Sequence, residues 1–203
     1  NKERYNHLNK YLKNKFGERT LKICIDGGFT CPNRDGSVGT KGCIFCSEKG
    51  SGDHLKNNLT IPEQIQNFLN SYRGKRANKF IVYFQNFSNT YDSIENLKIK
   101  YDSALIDDRI VGLAIATRPD CITEEIAKLL HSYKEKYYVS VELGLQTSND
   151  NTAKIINRGY ESSVFTKAVE ILNSNMEKLH AVANVLLEKE TIDGEEFLNI
   201  MNS

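Results

Sequence analysis

Cys31, Cys43 and Cys46 lie within one short stretch of the chain, which reads CPNRDGSVGTKGCIFC. Thiolates bind soft metals, and the glycines between them let the backbone bend closely around a bound group. The segment from Asp26 to about Thr60, here called the cysteine loop, is far longer than an ordinary connection between a strand and a helix. Loops of that length usually have a function. These residues therefore predict a loop that wraps a metal ion or a cluster.

Three kinds of site are compatible with these thiols. His54 would complete a zinc site of the Cys3His type. Cys43-Ile44-Phe45-Cys46 would form a redox dithiol by itself, although such a motif normally opens a helix and leaves Cys31 unexplained. An iron-sulfur cluster held by only three cysteines would keep one iron free for a substrate or cofactor. The motif favours the cluster and the zinc site equally and ranks the dithiol last.

The other two cysteines are expected to be structural. Cys24 lies inside an apolar run, where a free cysteine acts as a small hydrophobe, and Cys121 follows Arg118-Pro119-Asp120. An odd number of cysteines argues against a disulfide framework. No run approaches the ~18 apolar residues of a membrane helix, and the start lacks the apolar segment of a secretory signal. We therefore expect a cytoplasmic protein with no membrane partner.

Charge gives only local information. The net charge of +1 does not indicate a nucleic-acid-binding protein, but residues 1–22 contain seven Lys or Arg against two Glu. On composition alone, this basic segment indicates a solvated helix face.

Apolar runs rich in β-branched and aromatic residues alternate with helical periodicity along the chain. The predicted strands are residues 21–25, 80–84, 110–116, 138–145 and 180–187. The predicted helices are residues 62–73, 93–106, 123–133, 162–173 and 193–201, after a leading helix at 5–16. Thr60 and Thr123 are expected to cap two of these helices. The alternation implies parallel βα units, arranged as a doubly wound sheet or as a partial barrel.

Polar residues occur where four predicted strands end. They are Asp26, Gln85, Thr117 with Arg118, and Gln146. Ligand sites of parallel folds gather at the C-terminal edge of the sheet, so we expect these side chains to share one pocket.

Five motifs, in this order, resemble the YhcC/YtqA family of radical S-adenosylmethionine (SAM) proteins, relatives of the Elongator catalytic subunit and of the oxygen-independent coproporphyrinogen oxidases. The motifs are DGGFTCPNRDGSVGTKGCIFC, YFQNFSNTY, ATRPDC, VELGLQTSND and NRGY. The resemblance implies an α/β fold, a partial TIM barrel with about five of six βα units present. It also implies an N-terminal helical extension at residues 1–20, followed by a barrel at 21–203 that is truncated at its C-terminus.

The resemblance further implies a [4Fe-4S] cluster held by Cys31, Cys43 and Cys46, with Phe45 shielding it. The SAM contacts that it implies are Gln85, Asn86, Thr117, Gln146 and Arg158, and it implies no catalytic side chain beyond the cluster ligands. Such proteins cleave SAM reductively to a 5′-deoxyadenosyl radical, which takes a hydrogen atom from the substrate. The implied partners are an electron donor such as flavodoxin or ferredoxin, and a tRNA whose wobble uridine is modified.

Four points leave alternatives open. Leu186 to Thr191 departs from the Gly-Leu-Pro-Gly-Glu turn of the relatives, which makes a cluster-binding scaffold without turnover one alternative. A zinc-stabilised Cys3His binding module without catalysis is the other. Asn157-Arg158-Gly159 also has the composition of a helix C-cap, and Glu142 would either face the barrel interior or pair with a structural partner.

Overall fold

The computed structural model describes residues 7–52, 55 and 58–174 of this 203-residue chain. Four strands form one parallel sheet in the order β1-β2-β3-β4. The strands are β1 (Thr20–Ile25), β2 (Lys79–Phe84), β3 (Ile110–Thr117) and β4 (Tyr138–Leu143). The helices are α1 (Leu8–Phe16), α2 (Ile61–Asn70), α3 (Ile94–Asp102), α4 (Glu124–Lys134), α5 (Asp150–Ile155) and α6, which comprises residues 162–174.

The helix starts agree with the caps predicted from the sequence. Thr60 accepts a hydrogen bond from the backbone N–H of Glu63, and the Glu63 carboxylate accepts one from the backbone of Thr60, a complete capping box. Thr123 caps α4 in the same way through the N–H of Ile126. These contacts satisfy N–H groups that the first turn of a helix leaves without partners.

Several predicted elements are too long. The helix predicted at 62–73 ends at Asn70, because Gly74 turns the chain so tightly that an added Cβ would lie 2.3 Å from the Phe68 carbonyl oxygen. The strand predicted at 138–145 ends at Leu143, where the N–H of Leu145 turns back to the Leu143 carbonyl; Gln146 then adopts a left-handed backbone with φ 65°. Helix α5 has no counterpart among the elements predicted from the sequence. The predictions for residues 180–187 and 193–201, for the turn from Leu186 and for His54 lie outside the described residues.

One face of the sheet, the helix-covered face, contains the main core. Two rows of neighbours across β1, β2 and β3 are completely buried there beneath α2, α3 and α4, and the aromatic rings of Phe84 and Tyr101 pack edge to face. The buried strand residues are Ile23, Ile25, Val82, Phe84, Leu113 and Ile115. Burial of such continuous apolar surface fixes the strand register.

The opposite face, here called the open face, contains small and polar side chains. It presents Lys22 and Cys24 from β1, Ile81 and Tyr83 from β2, Gly112, Ala114 and Ala116 from β3, and Tyr138, Ser140 and Glu142 from β4. Because β3 contributes only Gly and Ala, the middle of this face is hollow. Helix α1 covers its N-terminal end, where Leu12 packs on Ile81 and Ala114.

An ion pair shows that the sheet is rolled around the open face. Lys22 Nζ on β1 lies 2.6 Å from Glu142 Oε1 on β4, although these are the two outermost strands. In a flat sheet three strand spacings of ~4.8 Å would separate β1 from β4 by about 14 Å. The rolling confirms the predicted α/β partial barrel and excludes a flat doubly wound sheet.

No helix in the described part of the chain is long and apolar enough to cross a bilayer.

Candidate cluster and cofactor site

A cavity of about 430 Å³ opens at the C-terminal edge of the sheet. All three thiols of the cysteine loop lie on its wall, and each is partly exposed and outside any disulfide. Among the predicted SAM contacts, the wall includes Gln85, Thr117, Gln146 and Arg158. The fold therefore brings the cysteine loop together with the ends of β2, β3 and β4, as expected for a parallel sheet.

Arg34 fixes the shape of the cysteine loop. Its Nη2 donates hydrogen bonds to the carbonyl oxygens of Cys46 at 3.0 Å and Ser47 at 2.6 Å. The backbone N–H of Cys46 also donates to the carbonyl of Cys43, which closes a tight turn between the two cysteines. These bonds orient the Cys43–Cys46 pair without using either sulfur.

The cysteine loop is also fastened to the turn that follows α5. Asn33 Nδ2 donates to the carbonyl of Asn157 at 2.7 Å, and Asn157 Nδ2 donates to the carbonyl of Gly42 at 2.6 Å. The backbone N–H of Gly42 in turn donates a hydrogen bond to the carbonyl of Asn33 at 2.7 Å. We call this closed set of three residues the asparagine clasp. Neither Asn33 nor the Asn157 side chain is among the site residues predicted from the sequence, although both lie in quoted motifs.

The protonation of the cysteines depends on their burial. Desolvation raises the pKa of the Cys43 thiol, and a hydrogen bond from Asn33 Nδ2 to its Sγ at 3.5 Å partly opposes that rise. Burial raises the pKa of Cys121 to about 12, so that side chain remains a thiol at neutral pH. Cys24 faces the open side of the sheet and is half-buried, and desolvation raises its pKa as well. A metal that binds Cys43 would have to displace its proton.

Arg158 is completely buried, and protein acceptors occupy all five of its N–H donors. Nε and Nη2 donate to the carbonyl of Tyr160, Nη1 donates to the carbonyls of Leu145 and Thr147, and Nη2 also contacts Asp150 Oδ1 at 3.4 Å. The guanidinium thus joins the loop after β4 to the turn after α5. A contact between Arg158 and a cofactor carboxylate stays a prediction, since it would have to share these donors.

The alternative reading of Asn157-Arg158-Gly159 as a helix cap agrees with the backbone. Asn157 has φ 54° and Gly159 has φ 83°, both in the left-handed region, and the N–H of Arg158 donates to the carbonyl of Ala153. The same three residues therefore end α5 and carry the buried guanidinium.

The other predicted SAM contacts differ in placement. Gln85 and Ser51 exchange hydrogen bonds at 2.9 and 3.0 Å, which ties the cysteine loop to the end of β2. The Thr117 hydroxyl lies 2.7 Å from that of Thr90. The exposed Gln146 side chain lies on the cavity wall and makes no hydrogen bond to the described residues.

Asn86 does not lie on the cavity wall. It is buried, its Nδ2 donates to Asp26 Oδ2 at 2.9 Å, and its Oδ1 accepts from the N–H of Gly52 at 3.3 Å. In this geometry Asn86 joins the start of the cysteine loop at Asp26 to Gly52 in its later part, and its predicted cofactor contact would need a rearrangement.

Arg118 places a cation next to the thiols. It forms a bidentate pair with Asp120, at 2.9 and 2.6 Å, and its Nη1 donates to the carbonyl of Arg158 at 2.9 Å. The guanidinium also stacks on the Tyr160 ring, 4.9 Å from its centroid. Two further residues, Tyr83 and Glu142, extend the same cavity onto the open face.

Tyr83 and Glu142 form a polar group with Lys22. The Tyr83 hydroxyl donates to Glu142 Oε2 at 2.8 Å, while the Lys22 ammonium lies over the Tyr83 ring at 4.3 Å from its centroid. Burial raises the pKa of the Glu142 carboxyl, but the hydrogen bonds from Lys22 and Tyr83 outweigh burial and hold that pKa below its ordinary value. Glu142 thus does both things that the sequence allowed, since it faces the cavity and has a structural partner.

The three thiols of the cysteine loop are the residues on the cavity wall that would hold a metal cluster. No group of three His, Cys, Asp or Glu side chains in the described ranges converges on one point where a single metal ion would sit. A four-iron cluster binds its thiolates at separate iron atoms, so its ligands have to surround a space. The three thiols are partly exposed on one cavity wall, where each would be accessible to a separate iron atom.

Comparison with known families agrees with this site. Residues 31–201 match the family described as the Radical SAM superfamily. The chain belongs to that superfamily, and its similarities place it in the YhcC/YtqA family.

Three relatives carry that assignment. Uncharacterized protein YtqA of Bacillus subtilis is 41% identical over 175 residues, which cover 85% of this chain and 54% of the relative. Protein YhcC of Escherichia coli is 36% identical, over 79% of this chain and 52% of its own length. An uncharacterized protein of Methanocaldococcus jannaschii is 35% identical, over 79% of this chain and 50% of its own length. The chain thus spans about half the length of these curated relatives.

Proposed function

We propose that this chain binds a [4Fe-4S] cluster through Cys31, Cys43 and Cys46 and cleaves SAM reductively at that cluster. The observation that carries the proposal is the single cavity in which three thiols meet the polar ends of three parallel strands. Membership of the radical SAM superfamily supports radical chemistry on SAM. When bound, the cluster would pass one electron to the sulfonium of SAM, so that a carbon-sulfur bond breaks and a 5′-deoxyadenosyl radical forms.

The described residues would bind and orient the cofactor. The cavity volume of about 430 Å³ lies in the range of small-molecule sites. Gln146 lies on the cavity wall after β4, with Thr117 at the end of the neighbouring strand β3 and Gln85 after the next strand, β2. Arg158 would act mainly by fixing the loops on which Gln146 and the cysteine loop depend.

Anaerobic reconstitution with iron and sulfide tests this function. We expect about four iron and four sulfide per chain, as the cluster formula requires. SAM should change the electron paramagnetic resonance spectrum of the reduced cluster, and dithionite should release 5′-deoxyadenosine. Colourless protein with one zinc would favour the Cys3His module. A cluster whose spectrum does not change when SAM is added would favour the cluster-binding scaffold without turnover. The departure of Leu186 to Thr191 from the turn of the relatives is the reason to consider that alternative.

For the substrate, we propose a tRNA wobble uridine, with flavodoxin or ferredoxin as the electron donor and a cytoplasmic location. The support is the YhcC/YtqA resemblance and the exposed lysines of α1, Lys10, Lys13 and Lys15, which suit phosphate contacts. Because α1 covers the end of the open face opposite the cavity, these lysines would bind the tRNA backbone away from the reacting base. An unchanged nucleoside profile, measured by mass spectrometry on tRNA from cells lacking the protein, would contradict this substrate.

A further inference from the structure

We propose that Asn33 is a positioning residue for the cluster, which holds the Cys43 sulfur through an N–H···S hydrogen bond and thereby raises the cluster's reduction potential. The inference rests on the proposed function, because it concerns the ligand sphere of the same cluster. It adds a specific task for a residue that is neither a cluster ligand nor a predicted SAM contact.

The position of Asn33 is tightly determined. Its side chain is 1% exposed. Nδ2 lies 3.5 Å from Cys43 Sγ, 2.7 Å from the carbonyl of Asn157 and 3.5 Å from the carbonyl of Arg158. Because the amide bears two hydrogens, it can serve the strong carbonyl acceptor and still point a donor at the sulfur.

The surrounding backbone leaves little room for another orientation. A Cβ added at Gly39 would lie 2.5 Å from Asn33 Oδ1, and one added at Gly159 would lie 3.2 Å from the same atom. The asparagine clasp holds Gly42, the neighbour of Cys43, from both sides. The sulfur and its donor are therefore fixed to one rigid unit.

Electrostatics gives the direction of the effect. A cluster becomes more negative when it takes up an electron, so a donor aimed at a ligating sulfur stabilises the reduced form more than the oxidised form. Hydrogen bonds to the sulfurs are among the factors that set the potentials of iron-sulfur clusters. Removal of the Asn33 donor should make the cluster harder to reduce.

Two variants distinguish the hydrogen bond from Asn33 to the Cys43 sulfur from a purely structural role of Asn33 in holding the cysteine loop. Asn33→Leu keeps a side chain of similar size but removes the N–H···S bond and the bond to Asn157. The matched control is Asn157→Gly, which breaks the clasp bond to Gly42 and retains the left-handed backbone that Asn157 adopts, while leaving the Asn33 amide beside Cys43. Both variants loosen the clasp, and only one removes the sulfur's hydrogen bond.

The measurement is a redox titration of the reconstituted cluster, followed by electron paramagnetic resonance. We expect Asn33→Leu to lower the ratio of reduced to oxidised cluster about tenfold at a fixed potential, which is ~59 mV for one electron. Asn157→Gly should leave that ratio nearly unchanged. Equal potentials in wild type and Asn33→Leu, or equal shifts in both variants, would overturn the inference.

A measurement on the wild-type chain covers the case in which Asn33→Leu assembles no cluster. In protein labelled with ¹⁵N at asparagine, we expect the reduced cluster to show a hyperfine coupling to one amide nitrogen. Asn157→Gly should keep this coupling. A cluster that assembles without the coupling refutes the assignment of Asn33 alone, whereas a wild-type chain that assembles no cluster refutes the proposed function.

Discussion

Lys22 Nζ and Glu142 Oε1 lie 2.6 Å apart, and this contact joins the first and last strands of the described sheet across its open face. The Tyr83 hydroxyl donates a hydrogen bond to Oε2, the second oxygen of the same carboxylate. Glu142 and Tyr83 lie on the wall of the thiol-lined cavity, so this polar group connects the rolling of the sheet with the shape of the site.

The Lys22–Glu142 pair should make stability depend on pH in the acid range. The pKa of Glu142 is held below its ordinary value of 4.5, so its stabilising contribution is complete above that pH and is lost as the pH falls toward the lowered pKa. The Glu142 side chain is 44% exposed, and solvent screening limits the contribution to ~1 kcal/mol or less. We expect Glu142→Gln to lower the free energy of unfolding at pH 7 by that amount, and the difference from wild type to shrink below pH 4.5.

Urea unfolding at a series of pH values measures this difference. Glu135→Gln, an exposed glutamate at the end of α4, is the control and should show no such change between the two pH regions. A Glu142→Gln curve that runs parallel to the wild-type curve down to pH 3 would show that the ion pair contributes nothing through the charge of Glu142.

Replacement of single cysteines should divide the five into two classes. Cys31→Ala, Cys43→Ala and Cys46→Ala should each lose the reconstituted cluster, because each removes one of only three thiolates. Cys24→Ala and Cys121→Ala should keep it, since Cys121 is buried with a pKa of about 12 and Cys24 lies on the open face. Iron and acid-labile sulfide per chain are the readout. Full loading in Cys31→Ala, or loss of loading in Cys24→Ala, would contradict the ligand assignment.

Helix α1 should contribute to stability through its contact with the open face. Leu12 is 3% exposed and packs on Ile81 and Ala114, and Phe16 packs edge to face on Tyr138 at 5.8 Å. Leu12→Ala should cost roughly 2–5 kcal/mol of unfolding free energy, the usual range for a buried leucine. Leu8→Ala, in the same helix but 50% exposed, is the control and should cost less than about 1 kcal/mol. Similar losses in both would mean that α1 does not seal the face.

The strands and the helix starts could be predicted from sequence because their causes are local. Apolar runs such as residues 80–84 and caps such as Thr60 carry the signal within a few residues. The end of β4 could not be predicted, since the chain turns through a backbone hydrogen bond between Leu143 and Leu145, two apolar residues that carry no turn signal.

The candidate site was only partly visible in the sequence, for a physical reason. The thiols and the polar strand-end residues could be predicted from their chemical type, and most of them do lie together on the cavity wall. The asparagine clasp depends instead on a contact between residues 33 and 157, which are far apart in the chain and of a common type. Asn86 is the opposite case. Its position after β2 predicts a contact with the cavity, but its side chain instead forms hydrogen bonds with Asp26 and Gly52 of the cysteine loop.

Arg158 offers the sharpest test of whether a buried cation acts on the fold or on a ligand. All its donors bind protein acceptors, so Arg158→Ala would remove the hydrogen bonds that the carbonyls of Leu145, Thr147 and Tyr160 accept from a completely buried guanidinium. We expect a loss of about 3 kcal/mol or more in the free energy of unfolding, measured by urea titration without cofactor. Arg158→Lys should recover little of it, because an ammonium lacks the planar fork that serves several carbonyls. The control is Arg109→Ala, where the guanidinium pairs with Asp107, lies 5.5 Å from the Phe80 ring centroid and is 43% exposed, and where we expect a loss below ~1 kcal/mol. If Arg158→Ala unfolds like the wild type but no longer binds SAM, the guanidinium belongs to the cofactor and its bonds to the loops are dispensable.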